Sequence, residues 1–190
     1  MQDICNISFV NYGVGGTSIA KKWSATSDAF CIRYVDMQNN CDMVTVWGGV
    51  NDFSLNIPMG TKGSTNTMTF YGALKVLIEG LINKYPGKKI GFVLTSPVNY
   101  TDTTLNYCFD ETNTEGLKLS DYNNAIIDMC HDYSLPILDL YNNSGMNQLN
   151  MQIMTSNIEK TAPDGLHPSM LAMNFFKYQI FDFLKTKLRM

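Results

Sequence analysis

Short apolar runs that alternate with amphipathic helical patterns constrain the fold of this 190-residue chain more than any other feature. Four runs are nearly unbroken in apolar character, as in parallel strands that are covered on both faces. They span residues 4–10, 42–47, 89–95 and 136–140. Strands joined by helices through right-handed crossovers form layers, so the pattern predicts an α/β fold. We expect a three-layer α/β/α sandwich with a mostly parallel, flavodoxin-like sheet.

Three helical patterns separate or follow these strands. The first, over residues 68–85, repeats apolar side chains at the i, i+3 and i+4 spacing of a helix with one buried face. The second covers about residues 120–133. The third follows Pro168 and is expected to turn five side chains inward: Met173, Phe176, Ile180, Phe183 and Leu184.

Composition limits the class of protein. A length of 190 residues fits one domain, and 45% hydrophobic residues suffice for a buried core. The net charge of -3 and the lack of a basic run argue against nucleic-acid binding, which needs clustered Lys and Arg. No apolar stretch approaches the roughly 18 residues of a membrane span. The first residues lack the features of a signal peptide, but we expect the native N-terminus to be missing, so the compartment is not predicted.

The five cysteines indicate neither a zinc site nor a disulfide framework. They are scattered, odd in number and never spaced as Cys-x-x-Cys, and neither of the two histidines lies near a cysteine pair. Buried or half-buried free thiols fit this pattern best. A structural zinc site is therefore not expected, and a redox or metal enzyme has almost no support.

In an open parallel sheet the reacting side chains lie in loops at the carboxyl ends of the strands. That rule selects residues 11–18, residues 48–53 and the turn at Ser96-Pro97. The polar segment 98–118 leaves the same edge and is long for a connection. It either shapes a pocket or forms a surface loop, and the sequence favours neither.

Two loops that contain glycine follow predicted strands. Residues 11–18 lack the last glycine of a dinucleotide fingerprint and the lysine of a phosphate-binding loop, so alone they fit a tight turn. Residues 49–52 have the sequence Gly-Val-Asn-Asp, in which Asn and Asp usually satisfy turn backbone. The alternative is that the Asn51 amide and the Gly16 N–H together receive a developing oxyanion, at about 3 kcal/mol per donor.

Asp164-Gly165-Leu166-His167-Pro168 is the third segment that could carry chemistry. An imidazole can act as a general base near pH 7, and a carboxylate can fix its tautomer and orientation. The turn that Gly165 and Pro168 predict would fold Asp164 back to the His167 ring. Alone, an Asp-x-x-His spacing is common and usually structural. The other histidine, His131, lies at the polar margin of a predicted helix, and we expect a structural role for it.

The order of these motifs resembles that of the SGNH hydrolases, also called the GDSL esterase/lipase family. The second, third and fifth blocks of that family are Asn-x-x-x-x-Gly, Gly-x-Asn-Asp and Asp-x-x-His. This chain has Asn11 to Gly16, Gly49 to Asp52 and Asp164 to His167 in the same order. Residues 90–97 and 137–141 are also similar to the family's sequence between these blocks, so the resemblance spans nearly the whole chain.

The resemblance implies an ester hydrolase that works through a serine acyl-enzyme, without metal or cofactor. The Gly16 N–H and the Asn51 side chain would form the oxyanion hole. His167 would be the base and Asp164 would orient it. The substrate would be an acetylated carbohydrate or a small acyl ester, an expectation that rests on the range of the family.

The family's first block, Gly-Asp-Ser, is missing from the chain. It normally precedes the glycine loop by a few tens of residues, but the only serine before Gly16 is Ser8, inside the predicted first strand. Ser18, Ser54 and Ser96 lie near strand ends and are the remaining candidates for a substitute nucleophile. We therefore expect one domain over residues 1–190, truncated at its N-terminus and inactive for want of its nucleophile. The alternative is a non-catalytic ligand-binding or interaction protein on the same scaffold.

The missing block also carries a central strand of the family's sheet, between the strands that match residues 4–10 and 42–47. Without that strand, two parallel edges lose the partners of their backbone groups. We expect residues 4–10 either to pair directly with residues 42–47 or to be bridged by a second copy of the chain, through a homo-oligomer or strand exchange. A structure in which residues 4–10 pair on neither edge would contradict this expectation.

Overall fold

The computed structural model describes residues 8–25, 27–99, 111–157 and 162–188. Within these ranges, three parallel strands form one sheet in the order β1-β2-β3. Their bounds are Met43–Trp47 for β1, Lys89–Val93 for β2 and Ile137–Leu138 for β3. Three of the four predicted strands are therefore confirmed, each somewhat shorter than its apolar run.

Helices connect the strands and follow the last one. The three long helices confirm the three helical patterns in the sequence. In chain order the α-helices of the described residues are α1 (Phe30–Arg33), α2 (Val50–Ser54), α3 (Phe70–Lys84), α4 (Leu119–Asp132), α5 (Leu140–Asn143), α6 (Met151–Met154) and α7 (Met170–Thr186), and a 3-10 helix, Tyr34–Asp36, follows α1.

The sheet lies between two helical layers, as the sequence predicts. On one face, Ile90 and Phe92 of β2 belong to the largest hydrophobic cluster, together with buried side chains of α3 and α4. On the opposite face, Val93 packs in a second cluster with Phe176 of α7. Gly91 faces the same side, where a Cβ would stand 2.8 Å from the ring of Phe183. The glycine thus lets α7 pack closely against the sheet, and the result is an α/β/α sandwich around a reduced sheet.

The long helices bury the faces that their periodicity predicts, with one exception. In α7, Phe176, Phe183 and Leu184 are buried, but Met173 is 40% exposed. Ala172, four residues before Phe176, occupies the buried position of the first turn instead. The apolar stripe follows the 3.6-residue period through Ala172, which turns Met173 toward solvent.

The first predicted strand is not found in its described part. Ser8, Phe9 and Val10 belong to no strand, and all three are exposed. Residues 4–7 lie outside the described residues. Among the described residues β1 pairs with β2 alone, so its other edge has no strand beside it. The expected direct pairing is therefore wrong for residues 8–10, which join no strand although the outer edge of β1 is open among the described residues. Bridging by a second copy stays a prediction.

Two further expectations fall partly outside the described residues. Cys31, Cys41 and Cys130 are free thiols, while Cys5 and Cys108 lie in parts of the chain that are not described. Of segment 98–118, residues 100–110 are likewise not described. At its far end the buried Asn113 amide donates hydrogen bonds, each 3.0 Å long, to the Phe53 carbonyl and the Tyr122 hydroxyl. That end of the segment is therefore fixed to α2 and α4.

Candidate active site

Asp164 and His167 meet side by side in a tight turn. The Nδ1 of His167 lies 2.6 Å from Oδ2 of Asp164. The other oxygen, Oδ1, accepts the backbone N–H groups of Leu166 and His167, each at 2.9 Å. Gly165 adopts a φ of 71°, a left-handed conformation that favours glycine. Since a carboxylate only accepts hydrogen bonds, we assign the imidazole proton to Nδ1, which makes Nε2 the basic nitrogen.

Backbone contacts anchor this turn beyond the end of β2. The N–H of Asn99 donates to the Gly165 carbonyl at 2.7 Å, and the N–H of Ser156 donates to the His167 carbonyl at 2.8 Å. The Gly165 N–H donates to the hydroxyl of the buried Thr155 at 3.0 Å. The His167 side chain itself stays 47% exposed. The turn is therefore fixed through its backbone, while the ring remains open to a ligand.

A second pair of polar groups lies just beyond the end of β1. The Asn51 side chain donates from Nδ2 to the Thr17 carbonyl at 2.8 Å, which places its amide beside the residue that follows Gly16. Gly16 has a φ of 76°, and its N–H donates to none of the described residues. Contacts among those residues use only one of the two N–H bonds of the Asn51 amide. Two N–H donors without a partner among the described residues thus lie near each other in space, although Gly16 and Asn51 are far apart in the sequence.

The two pairs lie at the same edge of the sheet. Asn51 follows β1. Asn99, whose N–H is bonded to the Gly165 carbonyl, follows β2. Neighbouring parallel strands end at the same edge of a sheet. No hydrogen bond among the described residues links the Asp164–His167 pair directly to Gly16 or Asn51. The arrangement can therefore offer a ligand at this edge one base and two N–H donors.

Sequence reasoning assigns no role to two residues that shape this edge. Asp52 is fully buried and accepts the backbone N–H groups of Ile19 and Ala20, each at 2.8 Å. Arg33 donates from Nη1 to the Thr17 hydroxyl at 2.7 Å, and burial lowers the pKa of its guanidinium. The position of Asp52, directly after Asn51 in the Gly-Val-Asn-Asp motif, is a sequence feature that points to this edge of the sheet. Nothing in the sequence marks Arg33, whose hydroxyl partner is sixteen residues away.

None of the candidate substitute nucleophiles is hydrogen-bonded to the His167 ring within the described residues. The Ser18 hydroxyl is buried and donates to the Ala20 carbonyl at 2.6 Å. The Ser54 hydroxyl donates to the Val50 carbonyl at 3.0 Å. Ser96 is buried just beyond β2. Ser8, expected inside a strand, is exposed and outside any strand.

Metal-binding clusters and membrane-spanning helices are absent from the described parts of the chain. These parts contain no group of three or more His, Cys, Asp or Glu side chains that could hold a metal ion. No helix among them is both long and apolar enough to cross a bilayer. His131 is exposed on α4, away from the Asp164–His167 turn in sequence.

Asp164→Asn is expected to reverse the tautomer of His167. The Asn oxygen can still accept the backbone N–H groups of the turn, but its NH₂ group donates where the carboxylate oxygen accepted. The neutral ring would then present Nδ1 as an acceptor and carry its proton on Nε2. Nitrogen-15 chemical shifts of the labelled imidazole would measure the tautomer, with His131 as an internal control. A ring that keeps its proton on Nδ1 in the variant would contradict the assignment.

Comparison with known proteins identifies a family. Residues 1–178 match the family described as GDSL-like lipase/acylhydrolase. A protein of known structure from Lactobacillus plantarum is 30% identical over 93% of this chain and 80% of its own, with a TM-score of 0.75. No curated protein sequence matches the chain.

More distant structures share the fold. A protein of Bacteroides ovatus named as a GDSL-like lipase is 18% identical over 90% of this chain and 68% of its own, with a TM-score of 0.59. The lipase/acylhydrolase of Enterococcus faecalis is 16% identical over 77% of this chain and 62% of its own, with a TM-score of 0.52. The family match covers nearly the whole chain and agrees with the family that the motifs indicate. The chain therefore belongs to the GDSL-like lipase/acylhydrolase family, whose chemistry is the hydrolysis of ester bonds.

Proposed function

We propose that this site supports ester hydrolysis through a serine acyl-enzyme, with His167 as the base and Asp164 as the residue that orients it. The observation that carries the proposal is the 2.6 Å contact between Asp164 Oδ2 and His167 Nδ1. Because this contact holds the proton on Nδ1, Nε2 is available to take the proton of an attacking hydroxyl. The exposed position of the ring allows a substrate to reach it.

Gly16 and Asn51 are proposed to bind the oxyanion. When a serine Oγ attacks the ester carbonyl, its proton passes to His167 Nε2 and the carbonyl electron pair moves onto oxygen. An N–H group aimed at that oxygen stabilises the transition state by about 3 kcal/mol. His167 then gives the proton to the leaving alcohol, and water repeats the sequence on the acyl-enzyme. The unused N–H groups of Gly16 and Asn51 support this assignment.

The proposed substrates are acetylated carbohydrates or small acyl esters. The range of the family supports this class. Two exposed apolar side chains beside the turn are consistent with a short acyl group, namely Ile153 at 61% and Met170 at 62% exposure. The Ser169 hydroxyl donates to the Ile153 carbonyl at 2.8 Å, which brings Ile153 beside the residue that precedes Met170.

The nucleophile is proposed to lie outside these 190 residues. The sequence contains no Gly-Asp-Ser, and the hydroxyls of Ser18 and Ser54 donate to backbone carbonyls. The outer edge of β1 has no strand beside it among the described residues, so a strand that ends in Gly-Asp-Ser has an edge to pair with. We therefore expect the 190-residue chain by itself to be inactive.

The missing serine also favours a second candidate function, a non-catalytic ligand-binding or interaction protein that keeps the scaffold. The two candidates differ in what an added serine would do. A scaffold whose base and donors remain in place would gain activity, whereas a scaffold kept for binding alone would not.

Turnover of p-nitrophenyl acetate is expected to separate the two candidates. The 190-residue chain and its His167→Ala variant should both hydrolyse the ester at the background rate. A chain extended at its N-terminus by a strand ending in Gly-Asp-Ser, called here the serine-extended chain, should gain turnover. That gain should fall by about 10²-fold or more in His167→Ala, because a positioned general base contributes that much.

Two outcomes would contradict the proposal. Turnover by the unextended chain that depends on His167 would show that a nucleophile lies within these 190 residues. A serine-extended chain that folds, as judged by circular dichroism, yet gains no His167-dependent turnover would support the binding protein instead.

A further inference from the structure

Asp52 is a buried carboxylate with no cation to balance it among the described residues. Its exposure is 0%, and none of the ion pairs in the described parts of the chain includes it. Its two oxygens are instead divided between two backbone groups, since Oδ2 accepts the Ile19 N–H and Oδ1 accepts the Ala20 N–H, each at 2.8 Å. Burying an ionised carboxylate without a paired cation costs free energy, so we expect Asp52 to have a role that outweighs this cost.

The segment that Asp52 holds is the one that carries the proposed oxyanion donors. Asn51, the neighbour of Asp52 in α2, donates its amide N–H to the Thr17 carbonyl. Two consecutive side chains of α2 therefore bind residues 17–20, which directly follow Gly16. From the other side, the Ser18 and Ile19 carbonyls accept the N–H groups of Phe30 and Cys31. The segment is thus fixed through both its N–H groups and its carbonyls.

The ionised carboxylate is the form of this side chain that accepts both N–H groups strongly. An Asn side chain at position 52 has a single acceptor oxygen, so its NH₂ group would face one of the two N–H donors. A protonated carboxyl carries a hydrogen on one oxygen, which makes that oxygen a much weaker acceptor and turns a donor toward the segment. The N–H of Ile19 or Ala20 then faces a donor in Asp52→Asn, or keeps only a weak hydrogen bond in the protonated acid, and the segment is no longer firmly held.

We propose that Asp52 is a positioning residue, whose ionised carboxyl holds residues 17–20 against α2 and thereby keeps the Gly16 N–H and the Asn51 amide directed at one point. Protonation of Asp52 then releases the segment and separates the two donors. The importance of this device for catalysis rests on the proposed function, whereas the hold on the segment does not.

The titratable groups around Asp52 do not replace it in this role. Cys31 of α1 and Tyr122 of α4 face it, and burial raises the pKa of both groups, with the charge of Asp52 raising each further. The Tyr122 hydroxyl donates to the Ile57 carbonyl rather than to Asp52. Lys21, which follows the held segment, lowers the pKa of Cys31. Burial raises the pKa of Asp52 itself to about 7, against the lowering effect of its backbone N–H partners.

Amide NMR of the 190-residue chain tests the hold directly. Between pH 5 and 9 the cross-peaks of Ile19 and Ala20 are expected to shift with one midpoint near neutrality. The Gly16 N–H and the Asn51 side-chain amide should shift with the same midpoint. Hydrogen-exchange protection of Ile19 and Ala20 should drop about tenfold or more on the acid side, as expected for a buried hydrogen bond that is lost.

Two variants separate Asp52 from other titrating groups. In Asp52→Asn, the four signals should no longer titrate together, and protection of Ile19 and Ala20 should be low at every pH. In His167→Ala, which removes the imidazole, the four signals should titrate as in the wild type. Protection that is independent of pH in the wild type, or unchanged in Asp52→Asn, would overturn the proposal, and so would loss of the titration in His167→Ala.

A kinetic measurement separates this inference from the proposed function. In the serine-extended chain, Asp52→Asn should lower kcat about tenfold or more while KM changes little, because the donors act on the transition state. An unchanged kcat beside a confirmed amide titration would show that Asp52 holds the segment without serving the reaction, which overturns the positioning role. If no His167-dependent turnover occurs at all, the proposed function fails, and the amide signals still decide whether Asp52 holds the segment.

Discussion

The free energy of unfolding is expected to fall as the pH rises from 3.8 to about 7, because Asp52 loses its proton in the unfolded chain long before it does so in the folded one. Burial raises the pKa of the folded carboxyl, so within this window the folded state holds one more proton than the unfolded state. Stability then decreases with rising pH, opposite to the usual behaviour of a carboxylate in an ion pair. A shift of this size corresponds to up to roughly 4 kcal/mol over the window.

Urea denaturation at a series of pH values, in the wild type and in Asp52→Asn, measures this contribution. The variant has no carboxyl to titrate, so the stability difference between the two proteins should change by up to roughly 4 kcal/mol across the window. Asp42→Asn is the matched control, because the Asp42 side chain is 95% exposed and its charge is screened by water. A wild-type curve parallel to that of Asp52→Asn would show that the buried carboxyl does not titrate in this range.

Other carboxylates act at the acid end with the opposite sign. Hydrogen bonds from Lys75 and Lys62 lower the pKa values of Glu79 and Asp128, respectively. A lowered pKa stabilises the fold at pH values above the ordinary range of the group, and that contribution is lost as the pH falls. Both side chains are more than a third exposed, so solvent weakens these contributions. These two carboxylates therefore act at the acid end of the range, whereas Asp52 acts at higher pH and with the opposite sign.

The sequence predicts those parts of this fold that depend on local pattern. β1 to β3 and the three long helices follow from apolar runs and from helical periodicity, because burial against neighbouring layers imposes those patterns. The same pattern at residues 8–10 is misleading, since Phe9 and Val10 are exposed and pair with no strand. Strand formation requires a partner, which the residues of a single run do not reveal.

The candidate site divides in the same way. The contact between Asp164 and His167 is predictable because it forms within one turn, where spacing and a left-handed glycine determine which groups meet. The hydrogen bond from the Ile19 N–H to Asp52 joins residues that are thirty-three positions apart in the sequence. The contact of Arg33 with Thr17 depends on how α1 packs. Contacts of this kind follow from the assembled tertiary structure, so residue types and spacing alone do not indicate them.

Asn51→Ala in the serine-extended chain is expected to lower kcat by about 10²- to 10³-fold, with little change in KM. The substitution removes the N–H that we propose meets the oxyanion, and that interaction forms only as negative charge develops on the carbonyl oxygen. An equal loss in kcat and kcat/KM is the kinetic sign of a donor that acts in the transition state. Initial rates with p-nitrophenyl acetate over a range of concentrations would measure both constants.

Asn51 also donates to the Thr17 carbonyl, so the same substitution could disturb the loop rather than the oxyanion. The amide signals of Ile19 and Ala20 distinguish the two effects, because both N–H groups are held by Asp52 and not by Asn51. We expect their protection and their titration to persist in Asn51→Ala. A loss of turnover with these signals intact assigns the lost stabilisation to the Asn51 amide itself. Loss of both together would make Asn51 a residue that holds the loop, and Gly16 would then remain the one donor proposed for the oxyanion.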